Sequence, residues 1–284
     1  MRHRLVHLAR FGPAAVWKGA AVIRSPLMTV MVDSVMKAAR SLRRDFGEVE
    51  NLQVSRKGAH DFVTAADHKS EKILHEALLK ARPDFGFVME ESGIVIGKDA
   101  SHRWHIDPLD GTLNFLHGVP HFAISLGLER DGHYVAGVVY DPIKDELFIA
   151  EKGKGAFLNN RRLRVSGRTE MADALMATGV SPSNRAGFAQ FFKETGAVME
   201  KTSSFRRFGS AALDLAYVAA GRFEGFWEGG LNSWDVAAGV VLVREAGGFV
   251  TDFAGSDFKP DSLSLIAGNS ALHKSLTATL ATTR

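Results

Sequence analysis

Residues 104–115 read WHIDPLDGTLNF, and this stretch decides the reading of the chain. An apolar, strand-like run leads into Asp107 and Asp110, which flank a proline turn. Gly111 and Thr112 follow at once. Carboxylates this close, after a strand and before a tight turn, can converge on hard cations, while the backbone N–H groups behind them can hold an anion. Cations beside an anion cradle are what phosphate-ester hydrolysis needs.

Outward from this stretch, hydrophobic spacing predicts the flanking elements. Met31, Val35, Ala38 and Leu42 recur at helical intervals, which predicts an amphipathic helix over 28–46. DFVTAAD (61–67) reads as a short extended piece ending in Asp67, followed by a helix through residue 81 that Pro83 stops. FGFVMEES (85–92) reads as a strand running into a loop. Residues 121–150 predict antiparallel strands, with a hairpin at Asp131-Gly132, and 145–160 extend the meander. Beyond it, strands are expected near 172–180, 225–230, 249–253 and 263–269, with helices over 185–201, 211–220, 234–248 and 270–281. This mixed order argues for an α/β (α+β) fold in packed layers, with a largely antiparallel first sheet. The expected organisation is one domain over 28–284, made of two packed halves, about 28–165 and 166–284.

Composition excludes several classes. The chain has no cysteine, so thiolate catalysis and disulfides are ruled out, and a metal site must use oxygen or nitrogen ligands. A reducing cytosol fits, and the expected location is cytoplasmic. The formal charge of +3 misleads. Residues 1–27 carry Arg2, Arg4, Arg10, Lys18 and Arg24 with no acid, which leaves 30 basic against 32 acidic residues in the remainder. The body is nearly neutral, so its charge gives no argument for a nucleic-acid binder. Residues 1–27 are expected to be a basic, dispensable extension or an over-extended start, with Met28 or Met31 as the alternative; a contact arm and a targeting segment are the other readings. No run there approaches the ~18 apolar residues of a membrane span, so no membrane association is expected.

Carboxylates stand at element junctions in four places: Asp67, the Glu90–Glu91 pair, Asp107 with Asp110, and Asp235 at a helix start, with Glu228 seven residues before it. Each alone has an ordinary reading, as a solvated acid or as a helix N-terminal acid. Together they sit beside apolar runs, where solvated charge has no obvious reason to be. Arg161, Arg162, Arg164 and Arg168 read as a solvated loop or a protein or RNA contact. Arg206 and Arg207 read as supports for a subunit interface or for the site. Trp104, Phe115, Phe122, Trp227 and Trp234 read as core.

From about residue 28 to its end the chain resembles the inositol monophosphatase family, and within it the bacterial SuhB-type members. The resemblance rests on Lys57-Gly58 with DFVTAAD, Glu90-Glu91-Ser92, WHIDPLDGTLNF, FRRFGSAALDLAYVAAGRFEGFWE (205–228) and WDVAAGVVLVREAGG (234–248), in order. It implies a layered αβαβα sandwich, a homodimer, and a lithium-sensitive, Mg²⁺-dependent phosphomonoesterase acting on myo-inositol 1-phosphate or a similar small polyol phosphate. Two to three Mg²⁺ ions per subunit are implied. Glu90, Asp107 and the Leu109 carbonyl would hold the first, Asp107, Asp110 and Asp235 the second, and Glu90 a loosely held third. Thr112 and Asp67 would orient and deprotonate the attacking water. The N–H groups of Gly111 and Thr112 would meet the phosphate, and Gly209, Ser210, Ala211 and Glu228 would face the polyol, with Asp110 and Asp235 also at the substrate. Related families cleave fructose 1,6-bisphosphate, histidinol phosphate or 3′-phosphoadenosine nucleotides, which are the rival substrates. SuhB-type relatives also associate with transcription antitermination and ribosomal-RNA maturation machinery, a partner class the resemblance extends to this chain. The sequence departs from the family pattern at Leu113, where a second threonine is common, and at Asn232, where some animal members have histidine. His105 replaces an aliphatic residue and is expected to be an edge or rim histidine.

Overall fold

The computed structural model of the chain describes residues 24–48, 54–58, 61–180 and 187–284. The expectations for residues 1–23 lie outside these. The first helix, α1 (Pro26–Phe46), begins two residues ahead of Met28. Ser25 caps it, accepting from the Met28 N–H at 3.1 Å, and a proline occupies the first turn. A two-stranded antiparallel ribbon follows, β1 (Val54–Gly58) and β2 (Asp61–Thr64), then α2 (Ala65–Ala81). The second helix starts earlier than the sequence suggests, because Thr64 caps it and Asp67 bonds back to the Thr64 N–H at 2.9 Å. Asp67 therefore stands in the first turn of a helix and not at the end of an extended piece.

Eight strands then build the first sheet: β3 (Phe85–Met89), β4 (Gly93–Val95), β5 (Asp99–Asp110), β6 (Ala123–Arg130), β7 (His133–Asp141), β8 (Glu146–Glu151), β9 (Gly155–Leu158) and β10 (Arg161–Arg162). The short helix α3 (Thr112–Leu116) interrupts them after β5. Their order is β10-β9-β8-β7-β6-β5-β3-β4, and every pairing but β3 with β5 is antiparallel. The Asp131-Gly132 turn between β6 and β7 has both residues at positive φ, as a tight hairpin requires. The second sheet takes β11 (Leu175–Thr178), β12 (Ser204–Arg206), β13 (Gly225–Gly229), β14 (Phe249–Thr251) and β15 (Ser264–Gly268), in the order β12-β11-β13-β15-β14. The helices among them are α4 (Phe188–Met199), α5 (Ala211–Ala219), α6 (Ser233–Glu245) and α7 (Ser270–Ala281).

Packing stacks these elements as an αβαβα sandwich, as expected. Helices α1 and α2 cover the outer face of the first sheet through Met31, Val35, Leu42, Leu74, Leu78, Trp104 and Ile106. Between the sheets lie α5, apolar but for Asp214, and α6, apolar from Val236 to Val243, so residues such as Leu215, Val240 and Leu242 are sealed from water. Outside the second sheet α7 buries Leu272, Leu276 and Leu280 against Met176, Trp227 and Ile266 and contacts α4.

One contact sets where α6 can lie. Gly127 and Gly137 are cross-strand partners on β6 and β7, and both touch the α6 backbone. A Cβ on Gly137 would stand 2.6 Å from the Ala238 carbonyl oxygen, and one on Gly127 2.4 Å from the Ala237 Cβ. Such distances are closed to any larger residue unless the helix lifts. The helix N-terminus is thereby delivered to the end of β5. Substituting Gly137→Ala is expected to lower the free energy of unfolding by about 2 kcal/mol or more, the scale of overpacking a filled core. Urea denaturation of the two proteins compares them directly.

Candidate active site

The strand β5 carries the acids of WHIDPLDGT to the edge of a cleft between the two sheets. Its pairing with β6 is regular through Asp107↔Ser125 and resumes at Asp110↔Ala123, with an irregularity between. Pro108 lacks the N–H a regular ladder would use, and the break turns the strand so that Asp107 and Asp110 both face the cleft. Gly111 then adopts φ +98°, and a Cβ there would meet the His121 carbonyl at 3.1 Å. A glycine is required at that position, and it starts α3.

The cleft has a volume of about 340 Å³. Glu90, Asp107, Leu109, Asp110, Gly111, Thr112, Gly209, Ser210, Ala211, Glu228 and Asp235 all line it. Asp67 stands behind this wall, buried, and reaches it through Thr112. Thus one cleft gathers eleven of the twelve sequence-predicted site residues, with the twelfth one hydrogen bond away.

Each acid is held by defined partners. Asp107 Oδ1 accepts the Leu109 N–H at 2.9 Å, and the Glu90 carboxyl lies within hydrogen-bonding reach of Asp107. Asp110 Oδ2 accepts from Ser210 Oγ at 2.6 Å and from the Ala212 N–H at 2.8 Å, so the start of α5 clamps it. Asp235 Oδ2 accepts the Asn232 N–H at 2.7 Å as the third residue of α6. Thr112 Oγ1 lies 3.1 Å from both Asp67 Oδ1 and the Leu109 carbonyl, so its single proton can serve either acceptor. Glu228 packs so closely on Gly179 that a methyl there would meet its Oε2 at 2.1 Å.

Crowding and desolvation dominate the electrostatics. Burial, and after it the charges of Glu90, Asp110 and Asp235, hold the Asp107 carboxyl well above the usual range. Burial also raises Asp235 strongly, with Asp110 and Glu90 adding to it. Asp110 is pushed up to about 6 by burial, against the pull of its hydrogen bonds to Ser210 and Ala212. Burial lifts Glu228 to about 8, with help from Asp235 and Asp110. Burial also raises Asp67, with the Thr64 and Thr112 hydrogen bonds opposing it. Asp107, Asp235 and Glu228 feel neighbouring carboxylates through a poorly solvated space, which favours either protons or cations among them.

The donor set suits a hard divalent ion, being all oxygen: carboxylates with the Leu109 carbonyl beside them. Among the described residues no three histidine or acidic side chains meet as a ready-made metal cage. Magnesium does not need one, because it keeps several waters and takes one or two carboxylates together with substrate oxygens.

The sequence reading missed other contributors. Ser70 Oγ donates to the Pro108 carbonyl at 2.9 Å, and Glu71 accepts the Glu91 N–H at 2.8 Å and the Ser92 hydroxyl. One turn of α2 thus pins both acidic loops. Arg207 donates to the Val180 carbonyl at 3.1 Å and stands at the cleft mouth. Asp214, the lone acid in an otherwise apolar helix, also lines the cleft, and that lone charge was a readable signal.

Two expectations are corrected. His105 is not a rim histidine. It is buried between sheet and helix, with Nδ1 2.8 Å from Ser233 Oγ and Nε2 2.8 Å from Glu129 Oε2. It can be there because Glu129, also paired with Arg103 at 2.6 Å, satisfies its polar ring. Trp234 is half-buried on the cleft wall and not in the core, because α6 begins there, at the cleft's edge.

The model of the inositol monophosphatase family matches residues 23–284. An inositol-1-monophosphatase of Mesorhizobium japonicum is 56% identical over 253 residues, spanning 89% of this chain and 95% of that protein. The Nus factor SuhB of Xylella fastidiosa is 41% identical over 255 residues, covering 87% and 91%. The crystal structure of the extragenic suppressor protein suhB from Bartonella henselae superposes with a TM-score of 0.87 at 55% identity, over 90% of this chain and 98% of that one. The chain belongs to the inositol monophosphatase family, and is a phosphatase. Among the described residues no helix is long and apolar enough to cross a membrane.

The raised acids carry a sign. A carboxyl whose folded pKa exceeds its unfolded value binds its proton more tightly when folded, so its contribution to stability falls as pH rises through that window. For Asp110 the window runs from about 4 to about 6, and for Glu228 from about 4 to about 8. Metal-free protein is therefore expected to lose melting temperature between pH 6 and pH 8, and millimolar Mg²⁺ to restore it most at pH 8. Thermal-shift titrations at the two pH values measure this.

Proposed function

We propose that this phosphatase is Mg²⁺-dependent and hydrolyses myo-inositol 1-phosphate or a similar small polyol phosphate to the free alcohol and phosphate. The observation that carries the proposal is the gathering of Glu90, Asp107, Asp110 and Asp235 in one all-oxygen cleft, where Glu90, Asp110 and Asp235 act on Asp107, and Asp110 and Glu90 act on Asp235. Glu90, Asp107, Asp110, Asp235 and the Leu109 carbonyl are the groups that would hold the ions. Bound there, magnesium would supply charge neutralisation of the phosphate and a more acidic water.

The chain's own residues do the rest. Asp67 accepts from Thr112 and so can take a proton passed through that hydroxyl from an attacking water. Gly111 and Thr112 place backbone N–H groups at a helix start, where an anionic phosphate is favoured. Asp110, fixed by Ser210 and the Ala212 N–H, keeps the cleft's two sides in register through the reaction. Glu228 and the turn at Gly209, Ser210 and Ala211 form the wall that would meet the polyol. Because phosphoryl transfer is catalysed mainly by positioning and charge, no covalent nucleophile is required.

The Xylella relative's name favours a second, additional role in transcription antitermination or ribosomal-RNA maturation. A cytoplasmic location suits both roles. A homodimer is the assembly that the family resemblance implies.

The test is phosphate release from myo-inositol 1-phosphate with Mg²⁺ and with a chelator. The chelator is expected to abolish release. Asp107→Asn is expected to lower kcat at least ~100-fold, since even outer-shell partners of a metal are worth that scale. Unchanged release in the variant would remove the metal assignment. In the same assay, preference for fructose 1,6-bisphosphate, histidinol phosphate or a 3′-phosphoadenosine nucleotide would replace the substrate.

A further inference from the structure

Helix α5 is buried along its whole length, yet its fourth residue is an aspartate. Asp214 is 1% exposed, and its Oδ1 has no hydrogen-bond partner. The side chain lines the cleft together with Glu228. Burial, then the charges of Glu228 and Asp110, hold its carboxyl well above the usual range, and Arg207 at the mouth only partly offsets them.

A buried carboxyl oxygen without a partner costs stability, and an apolar residue would fill this helix position more favourably. Such a group persists where a ligand completes it. The missing partner must be small and able to hydrogen-bond to a carboxyl oxygen, which accepts and, when protonated, also donates. It must also answer Glu228, a second carboxyl on the same wall. Adjacent hydroxyl groups on a carbon skeleton meet both demands, because each hydroxyl both donates and accepts. An aryl ring meets neither and would leave both carboxyls unsatisfied.

We propose that Asp214, paired with Glu228, reads neighbouring hydroxyls on the alcohol half of the phosphate ester, and so selects polyol phosphates over esters lacking hydroxyls. This rests on the phosphatase reading of the same cleft and assigns its selectivity to a residue on α5. Asp214 is a specificity-determining residue here and has no part in metal binding or proton transfer.

The experiment compares kcat/KM for myo-inositol 1-phosphate and p-nitrophenyl phosphate at saturating Mg²⁺, in the full chain and in Asp214→Val and Asp214→Asn. In Asp214→Val the ratio of the two values is expected to fall at least tenfold, with the loss in KM for the polyol ester. That is the size of effect when a site built to bond a hydroxyl loses its partner. Asp214→Asn, nearly isosteric and still able to accept, is expected to keep the ratio within about threefold of the parent. Asp214→Ala carries the same expectation as Val if the Val protein does not fold. A ratio unchanged in the Val or Ala protein overturns the inference even when both activities fall together, because a purely structural role moves both substrates alike. A shift in the Mg²⁺ concentration for half-activation with no change in ratio overturns it in favour of a cation site. If the parent chain releases phosphate from neither ester, the phosphatase reading fails and this inference falls with it.

Discussion

Like charges held in a poorly solvated cleft repel, and everything around this cleft is arranged to hold them there regardless. Asp107, Asp110 and Asp235 come from the end of one strand and the start of one helix, and each is tied by an oxygen to a backbone N–H. Those N–H groups belong to structure that would need a partner in any case: a broken strand edge and two helix starts. The same bonds that terminate the elements therefore fix the acids. The residual repulsion is what a divalent cation, in the proposed reaction, would relieve.

Bringing the acids together depends on a contact far less conspicuous than any charge. Helix α6 lies directly on β6 and β7 because Gly127 and Gly137 present no side chains to it. On its other side Gly239 admits Leu215 of α5, where a Cβ would stand 2.5 Å from Leu215 Cδ1. The middle helical layer is thus pressed close to the first sheet, and the starts of α5 and α6 are drawn to Asp110 and to the cleft. On the opposite face α2 repeats the arrangement, with Asp67, Ser70 and Glu71 along one turn reaching Thr112, the Pro108 carbonyl and the Glu90–Ser92 loop. The two helical layers hold the end of β5 from both sides.

Much of this was legible in one dimension. The helices over 26–46, 188–199, 233–245 and 270–281 follow from apolar spacing and end signals, since such patterns are local. The meander from β6 to β9 follows from alternation and from Asp131-Gly132. The strands β4, β10 and β12 escaped notice because each has three residues or fewer, too short for a period to appear. Asp67 reads as extended in the sequence because DFVT before it is β-like, and the capping bond to Thr64 that overrides this forms only in the fold. His105 looked like a rim residue because its partners Glu129 and Ser233 lie 24 and 128 residues away.

The sequence by itself determined which residue types could do chemistry here: oxygen donors without thiolates, a proline-broken strand carrying two acids, a glycine where no other residue fits, and helix starts that favour acids. These are consequences of side-chain chemistry and local backbone sterics, and they travel with the chain. Only the tertiary structure decided that Asp67, Glu90, Asp107, Asp110, Glu228 and Asp235 share one environment, that Ser70 and Glu71 hold their loops, and that Asp214 faces the same space. Proximity between residues more than a hundred positions apart depends on which layers pack together, and burial, which raises those acids, does not exist until they do.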